Sequence, residues 1–277
     1  MIRTESIYAK DLVRAIYKRV LEKGAHPVVR CSFGDMAELF IKNATDEQLD
    51  YIDPMTKLEY EIVDKYISIG APLNTKSMAK ADLTKLARRG KATKPLSEQL
   101  MKRSADGTAK WVIADVPTHA LAQEAKMSFD EYSEFLFKSC YLDLDDPVAK
   151  LKELDEKQTC WANYLNGVKK LHIVGEKTDI TFNIEGRKWI SCSGLNNYPD
   201  GEVFTSPVED GINGEIYFDY PQNYRGNSAH GVHLWIENGQ VVKAEAEQGQ
   251  EFLNAMLNMD EGSHGIGEIA IGTNDEI

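Results

Sequence analysis

Residues 231–244 read GVHLWIENGQVVKA: two strand-like runs joined through Glu237-Asn238-Gly239-Gln240. An Asn-Gly step between such runs is the strongest short-range hairpin signal, because both residues tolerate the positive φ that a tight β-turn needs. Upstream, residues 181–187 alternate with period two and end in a turn. Downstream, residues 247–259 place Phe252, Leu253, Met256 and Leu257 on one helical face. The rear of the chain is therefore expected to be β-rich from about Gly167 onward.

The front half has a different rhythm. Residues 9–22 carry Leu12, Ile16, Tyr17, Val20 and Leu21 at helical spacing, and Gly24 stops the pattern. Short strands are expected at residues 26–31, 66–70 and 110–115. A helix broken at Pro54 and a long polar helix separate them. Ser128-Phe129-Asp130-Glu131 has the capping-box pattern, and Asp146-Pro147 opens a further helix. Strands alternating with helices predict a parallel sheet flanked by helices. The expected fold class is α/β: residues 1–166 form a parallel-sheet α/β domain, and residues 167–277 a β-rich α+β catalytic domain.

The 277 residues are enough for two such domains and a sizeable core. No apolar run is long enough to span a bilayer, and the N-terminus lacks a signal peptide's apolar stretch, so a cytoplasmic address is expected. Cys31, Cys140, Cys160 and Cys192 are widely spaced without a CxxC pair, which reads as ordinary buried thiols and not as a zinc cluster. The net charge of −12 is uneven: residues 166–277 hold 7 Lys+Arg against 18 Asp+Glu. Such a surface disfavours nucleic acid and concentrates cations, metal ions or protonated amines. Nine basic residues in 73–103 lack the interleaved aromatics of a base-stacking surface and read as a solvated helix face.

Chemistry-bearing candidates are few. His230 and His233 lie on a predicted strand, where an odd offset sends them to opposite faces, so joint metal binding is not expected. His264 and Glu268 are four apart, but the glycine-rich GSHGIGE around them argues against a helix. Residues 196–210, NNYPDGEVFTSPVED, hold four carboxylates, two prolines and a glycine. Pro199-Asp200-Gly201 has the composition of a tight turn, and Glu202 follows it. Glu268 leads into the apolar Ile269-Ala270-Ile271, where its charge is costly to desolvate unless a cation compensates it.

At these residues the chain resembles the thermophilic-type metalloaminopeptidases, the aminopeptidase T and S family (peptidase family M29). The resemblance runs through GRKWISCSGLNNYPDGEVFTSPVEDGINGEIYFDYP, LWIENGQVVKAEAE, MDEGSHGIGEIAIGTN and VPTHALAQEAKMSFDEYSEFLF, covering most of the chain. It implies that Glu202 and Glu268 are ligands of a two-metal site for divalent ions, Zn, Co, Mn or Mg. It implies a peptide substrate with a free N-terminus, a homodimer, and no nucleic-acid or membrane partner.

The family completes its site with two histidines, an aspartate and a tyrosine further toward the C-terminus, which this sequence does not reach. Met1-Ile2-Arg3 resembles the tail of the family's first strand. On that resemblance the chain is expected to be truncated at both ends and inactive alone, and no catalytic residue is assigned. Two rival classes stand beside it: a metal-independent two-carboxylate hydrolase, and a non-catalytic α/β ligand-binding protein using the carboxyl ends of the front strands.

Overall fold

The computed structural model describes residues 1–224 and 226–277, in two compact units. The first comprises Met1–Cys140 and Leu195–Pro199; the second comprises Tyr141–Gly194 and Asp200–Ile277.

In the first unit, β1 (Ile2–Thr4), α1 (Lys10–Glu22), β2 (Val29–Cys31), α2 (Met36–Asn43), α3 (Asp46–Asp50), α4 (Pro54–Ile62), β3 (Lys65–Gly70), α5 (Leu83–Ala105), β4 (Lys110–Asp115), α6 (His119–Glu124) and α7 (Phe129–Ser139) follow in order. The strands form a parallel sheet in the order β2-β1-β3-β4, and β8 (Asn197–Tyr198) adds beside β4. This is the expected α/β arrangement. Apolar spacing in α1 turns Leu12, Val13 and Ile16 onto the buried Ile2, Ile69 and Ala71. The break at Pro54 falls where the sequence placed it, because Asp53 caps α4 by accepting from Thr56 N at 3.0 Å while proline occupies the first turn. Ser128 and Glu131 close their capping box, with Oγ accepting at 3.2 Å and Oε2 at 2.8 Å.

In the second unit, α8 (Pro147–Leu165) precedes β5 (Lys170–Gly175), β6 (Thr178–Asn183), β7 (Ile190–Cys192), β9 (Glu202–Thr205), β10 (Ile212–Phe218), β11 (Gln222–Tyr224), β12 (Asn227–Glu237), β13 (Gln240–Gln248), α9 (Gln250–Leu257) and β14 (Ile269–Gly272). One antiparallel sheet runs β11-β12-β10-β6-β5 with β13 on β12; a smaller one runs β14-β9-β7. The expected hairpin is β12–β13, turning through Asn238 and Gly239 at φ 48° and 76°. The core gathers Ile180, Phe182, Ile184, Trp189, Val203, Ile212 and Ile236.

Helix α8 lies within 1–166, which the sequence reading gave to the first domain, yet its contacts group it with the second unit. Fully buried Gln158 accounts for this. Its Nε2 donates to Cys192 O at 3.0 Å and Thr273 Oγ1 at 2.7 Å, and its Oε1 accepts from Ser191 Oγ at 2.8 Å. Among the described residues, no helix is long and apolar enough to cross a membrane.

Candidate metal centre

The small sheet β14-β9-β7 sets the site. Alternation along a strand sends neighbouring side chains to opposite faces. Val203, Thr205 and Ile269 go inward and are buried, whereas Glu202 and Phe204 go outward. The registers pair Glu202 with Cys192 on one side and with Gly272 on the other. Directly opposite residues share a face, so Cys192, Glu202 and Gly272 form one row on the outer side. Glu268 directly precedes β14, whose residues on that face are Ala270 and Gly272. Both intervening positions are small, and a Cβ built on Gly272 would meet nothing within 4 Å. The floor beside Glu202 is open.

The turn before Glu202 is pinned from behind. Gly201 has φ 151°, and a Cβ there would stand 2.1 Å from the Asn274 Cβ. Asn274 Nδ2 donates to Asp200 O at 2.8 Å, Thr273 N donates to Gly201 O at 2.7 Å, and Tyr141 Oη donates to Asn274 Oδ1 at 2.8 Å. The start of β9 is thus clamped to the segment just after β14.

The result is a cluster: ligand-capable atoms of Cys192, Asp200 and Glu202 all lie within 4.8 Å of one another. Half-burial first, and then the carboxylates of Glu268 and Asp200, raise the Glu202 carboxyl above the usual carboxylate range. Burial, followed by Asp200, Glu202 and Glu268, pushes the Cys192 thiol up to about 11. Glu202 and Glu268, singled out from the sequence, are therefore within electrostatic reach of each other. Every influence on Glu202 favours its neutral form, which is the condition a bound cation would reverse. The donor set of carboxylate oxygens, half-buried beside an open floor, fits a divalent metal ion.

One reading is extended and one corrected. Asp200, which the sequence places in a tight turn, also contributes its carboxylate to the cluster. The cysteines are not uniformly buried thiols: Cys31 and Cys160 are exposed, and Cys192 is half-buried in the cluster. The strand register that brings Cys192 to Glu202 depends on the course of the loop between β7 and β9, which no hydrophobic period signals. His233 and His264 make their contacts away from the cluster. His233 stacks on Trp235 at 3.8 Å between ring centroids, with Nε2 3.0 Å from Glu215 Oε2. His264 Nδ1 lies 2.8 Å from Val241 O.

Clustered carboxylates on an open sheet face supply the donor chemistry of a divalent-cation protein. Comparison with known proteins gives the family. The model of the thermophilic metalloprotease family (M29) matches residues 1–277, and the chain belongs to that family.

Among its relatives, "Aminopeptidase 2" of Geobacillus stearothermophilus is 32% identical over 287 residues, covering 95% of this chain and 69% of that protein. "Aminopeptidase AmpS" of Bacillus subtilis is 27% identical, with coverage of 95% and 69%. The solved structure of wild-type AmpT from Thermus thermophilus superposes with a TM-score of 0.80 at 22% identity, over 98% of this chain and 72% of that one. The last likeness concerns the fold.

Proposed function

We propose that this protein acts in removing N-terminal amino acids from peptides, with Glu202 and Glu268 as carboxylate ligands of a pair of divalent metal ions. The observation that supports the reading is that the Glu268 carboxylate lies near enough to raise the Glu202 carboxyl and the Cys192 thiol. Membership of a metalloprotease family and relatives named aminopeptidases support the reaction class.

Bound there, divalent ions would polarise the scissile carbonyl and make a water nucleophilic near neutral pH. The chain's own residues supply the rest. Glu202 and Glu268 provide the negative charge that holds the ions. Gly272 and Ala270 leave room above the floor for a peptide end. The clamp from Asn274 to Gly201 fixes where Glu202 points. The acidic rear half raises the local concentration of protonated peptide amines, an effect that added salt weakens.

Among the described residues no histidine joins the cluster. Carboxylates and one thiol are a thin ligand set for two ions, so the 277-residue chain is expected to bind metal yet turn over peptide slowly. The test is metal content by elemental analysis, alongside release of leucine from a chromogenic anilide, for the wild type, Glu202→Gln and Glu268→Gln. Both variants should lose bound metal while keeping the wild-type circular dichroism. Full metal content in either would remove that glutamate from the site, and brisk turnover by the wild-type chain would refute the thin-ligand argument.

A further inference from the structure

We infer that the first unit carries a binding site for a small phosphomonoester with a hydroxylated body, on the sheet face turned away from α1, where Arg3 and Arg30 receive the phosphate. The inference uses none of the residues of the metal centre and does not rest on the function proposed above.

Parallel sheets are ordinarily covered by helices on both faces. Here Ile2, Ile67 and Ile69 pack toward α1. Alternation therefore turns Arg3, Tyr66 and Ser68 to the opposite face. Helix α4 covers the amino end of that face: Tyr66 Oη donates to Glu59 O at 2.6 Å, and the Tyr60 and Tyr66 ring centroids lie 5.9 Å apart. Further along, the registers set Arg30, Arg3, Ser68 and Ile113 in one row across β2, β1, β3 and β4. Strand β4 runs between β3 and β8, yet its Ile113 is 45% exposed. A cavity of about 490 Å³ is lined by this row and by Glu5, Ser32 and Gly70 at the strand ends.

The topology marks the same place. From β1 the chain goes to one side to form β2 and returns to the other side to form β3. Ligands of open α/β sheets bind at the carboxyl ends of strands where the order reverses in this way.

The charge identifies the ligand. Two arginines share one carboxylate: Arg30 Nε donates to Glu59 Oε1 at 2.6 Å and its Nη2 to the same oxygen, while Arg3 Nη2 reaches Glu59 Oε2 only at 3.5 Å. The Arg3 guanidinium carbon lies 5.1 and 4.9 Å from the Tyr60 and Tyr66 ring centroids, and Nη1 donates to Tyr60 Oη at 3.3 Å. These contacts orient the fork without neutralising it. Asp53 lines the adjoining cavity, but its carboxylate caps α4 through Thr56 N. The arginine pair thus exceeds Glu59 by one positive charge, in a chain whose net charge is −12. Two adjacent forks match the three oxygens of a phosphate monoester better than the two of a carboxylate.

Glu5 sets the ligand's direction. Its Oε1 accepts from Ala71 N at 3.4 Å, which holds a carboxylate at the ends of β1 and β3. A carboxylate there repels phosphate and accepts from hydroxyl groups. Residues two apart in extended chain are separated by about 7 Å, a distance that a sugar ring spans. The phosphate therefore lies on the arginines, and the hydroxylated body crosses Ser68 and Ile113 toward Glu5.

Isothermal titration calorimetry of the whole chain at low salt tests this, with glucose 6-phosphate, adenosine monophosphate, glucose, inorganic phosphate and the dipeptide Ala-Ala as probes. At least one phosphomonoester should bind, more tightly than inorganic phosphate or the dipeptide, and added salt should weaken it. Glucose should show no heat of binding. Arg30→Gln and Ile113→Glu, with circular dichroism as the fold check, should each weaken binding at least about tenfold, the scale of one lost hydrogen bond to a charged group. Should Arg30→Gln disturb the fold, Ile113→Glu, at an exposed position, decides.

Glu202→Gln should bind the phosphomonoester as the wild type does; a loss there would put the phosphate on the metal centre and overturn the inference. No binding of either phosphomonoester overturns it, as does a dipeptide that binds as well or better. Wild-type affinity in a folded Ile113→Glu would also overturn it, by placing the ligand off this face.

Discussion

Gly201 and Asn274 are packed backbone against side chain so tightly that the smallest side chain at position 201 would collide: its Cβ would stand 2.1 Å from the Asn274 Cβ. Hydrogen bonds from Asn274 Nδ2 to Asp200 O and from Thr273 N to Gly201 O complete the lock. The φ of 151° adds a second reason for glycine there. Gly201→Ala should therefore lower stability by at least about 1–3 kcal/mol from backbone strain alone, and should weaken metal binding as β9 shifts. Urea unfolding followed by tryptophan fluorescence, paired with a metal titration, checks both. An unchanged midpoint would show that the lock is not closed in solution.

Gln158 offers a second measurement in the same unit. Its amide is fully buried and uses both ends: two donations from Nε2 and one acceptance at Oε1. Gln158→Leu keeps the approximate volume but takes the amide donor from the Cys192 carbonyl and the Thr273 hydroxyl, while Ser191 retains Asp155. Each buried unsatisfied group costs about 1–3 kcal/mol. The variant should lose about 2–4 kcal/mol in urea unfolding, and a loss below experimental error would mean that water replaces the amide without penalty.

The first unit makes a prediction about alkaline pH. Burial pushes the Cys140 thiol up to about 11 and the Tyr198 phenol up to about 12, while Tyr198 Oη donates to Cys140 O at 2.6 Å. The ordinary values are 9.0 and 10.0. Both groups hold their protons more tightly folded than unfolded, so the unfolded chain ionises first. Their effect on stability is flat below the unfolded value of Cys140. Stability then falls as pH rises through the interval up to the folded values. Cys140→Ala should flatten the lower part of that fall. Thermal midpoints measured across this range for wild type and variant decide it, and parallel curves would remove Cys140 as the source.

Thiol reactivity follows from the same environments. Cys31 and Cys160 are exposed, Cys140 is buried, and Cys192 is half-buried beside carboxylates that disfavour its thiolate. The thiolate is the reacting species, so a disulfide reagent at mild pH should modify two of the four cysteines quickly. Peptide mapping should assign those two to Cys31 and Cys160. Rapid labelling of Cys192 would contradict the crowding described above.

Much of the architecture could be read locally because local signals state it. The spacing in α1, the turn at Asn238-Gly239, proline at the start of α4 and the Ser128 capping box each specify an element from neighbouring residues. Helix α2 was not anticipated. It buries only Ile41 and leaves Met36 and Leu39 exposed, so it lacks a full inward stripe. The candidate site was half legible. Glu202 and Glu268 were singled out, through resemblance and the cost of a charge beside an apolar strand. Asp200 and Cys192 were not, since their placing depends on β7 pairing with β9 and on the Asn274 clamp. The clamp joins segments 74 residues apart, and the β7–β9 register is fixed by a loop whose course no periodicity encodes.

The floor between the two glutamates can be tested apart from the fold. Gly272 pairs with Glu202 at the edge of the ladder, is exposed, and has open space where a side chain would go. Its backbone lies outside the positive-φ region, so a β-branched residue is tolerated and favoured in a strand. Gly272→Val should therefore leave the urea midpoint unchanged or slightly raised. The same side chain would stand beside the Glu202 carboxylate, in the space that an ion and a peptide end would share. Metal affinity should drop by on the order of tenfold, the scale at which changes around a metal's ligands act. A variant that folds normally and binds as well as the wild type would show that the ion, if held by Glu202, sits on its other side, toward Cys192 alone. A variant that unfolds would contradict the open space above β14.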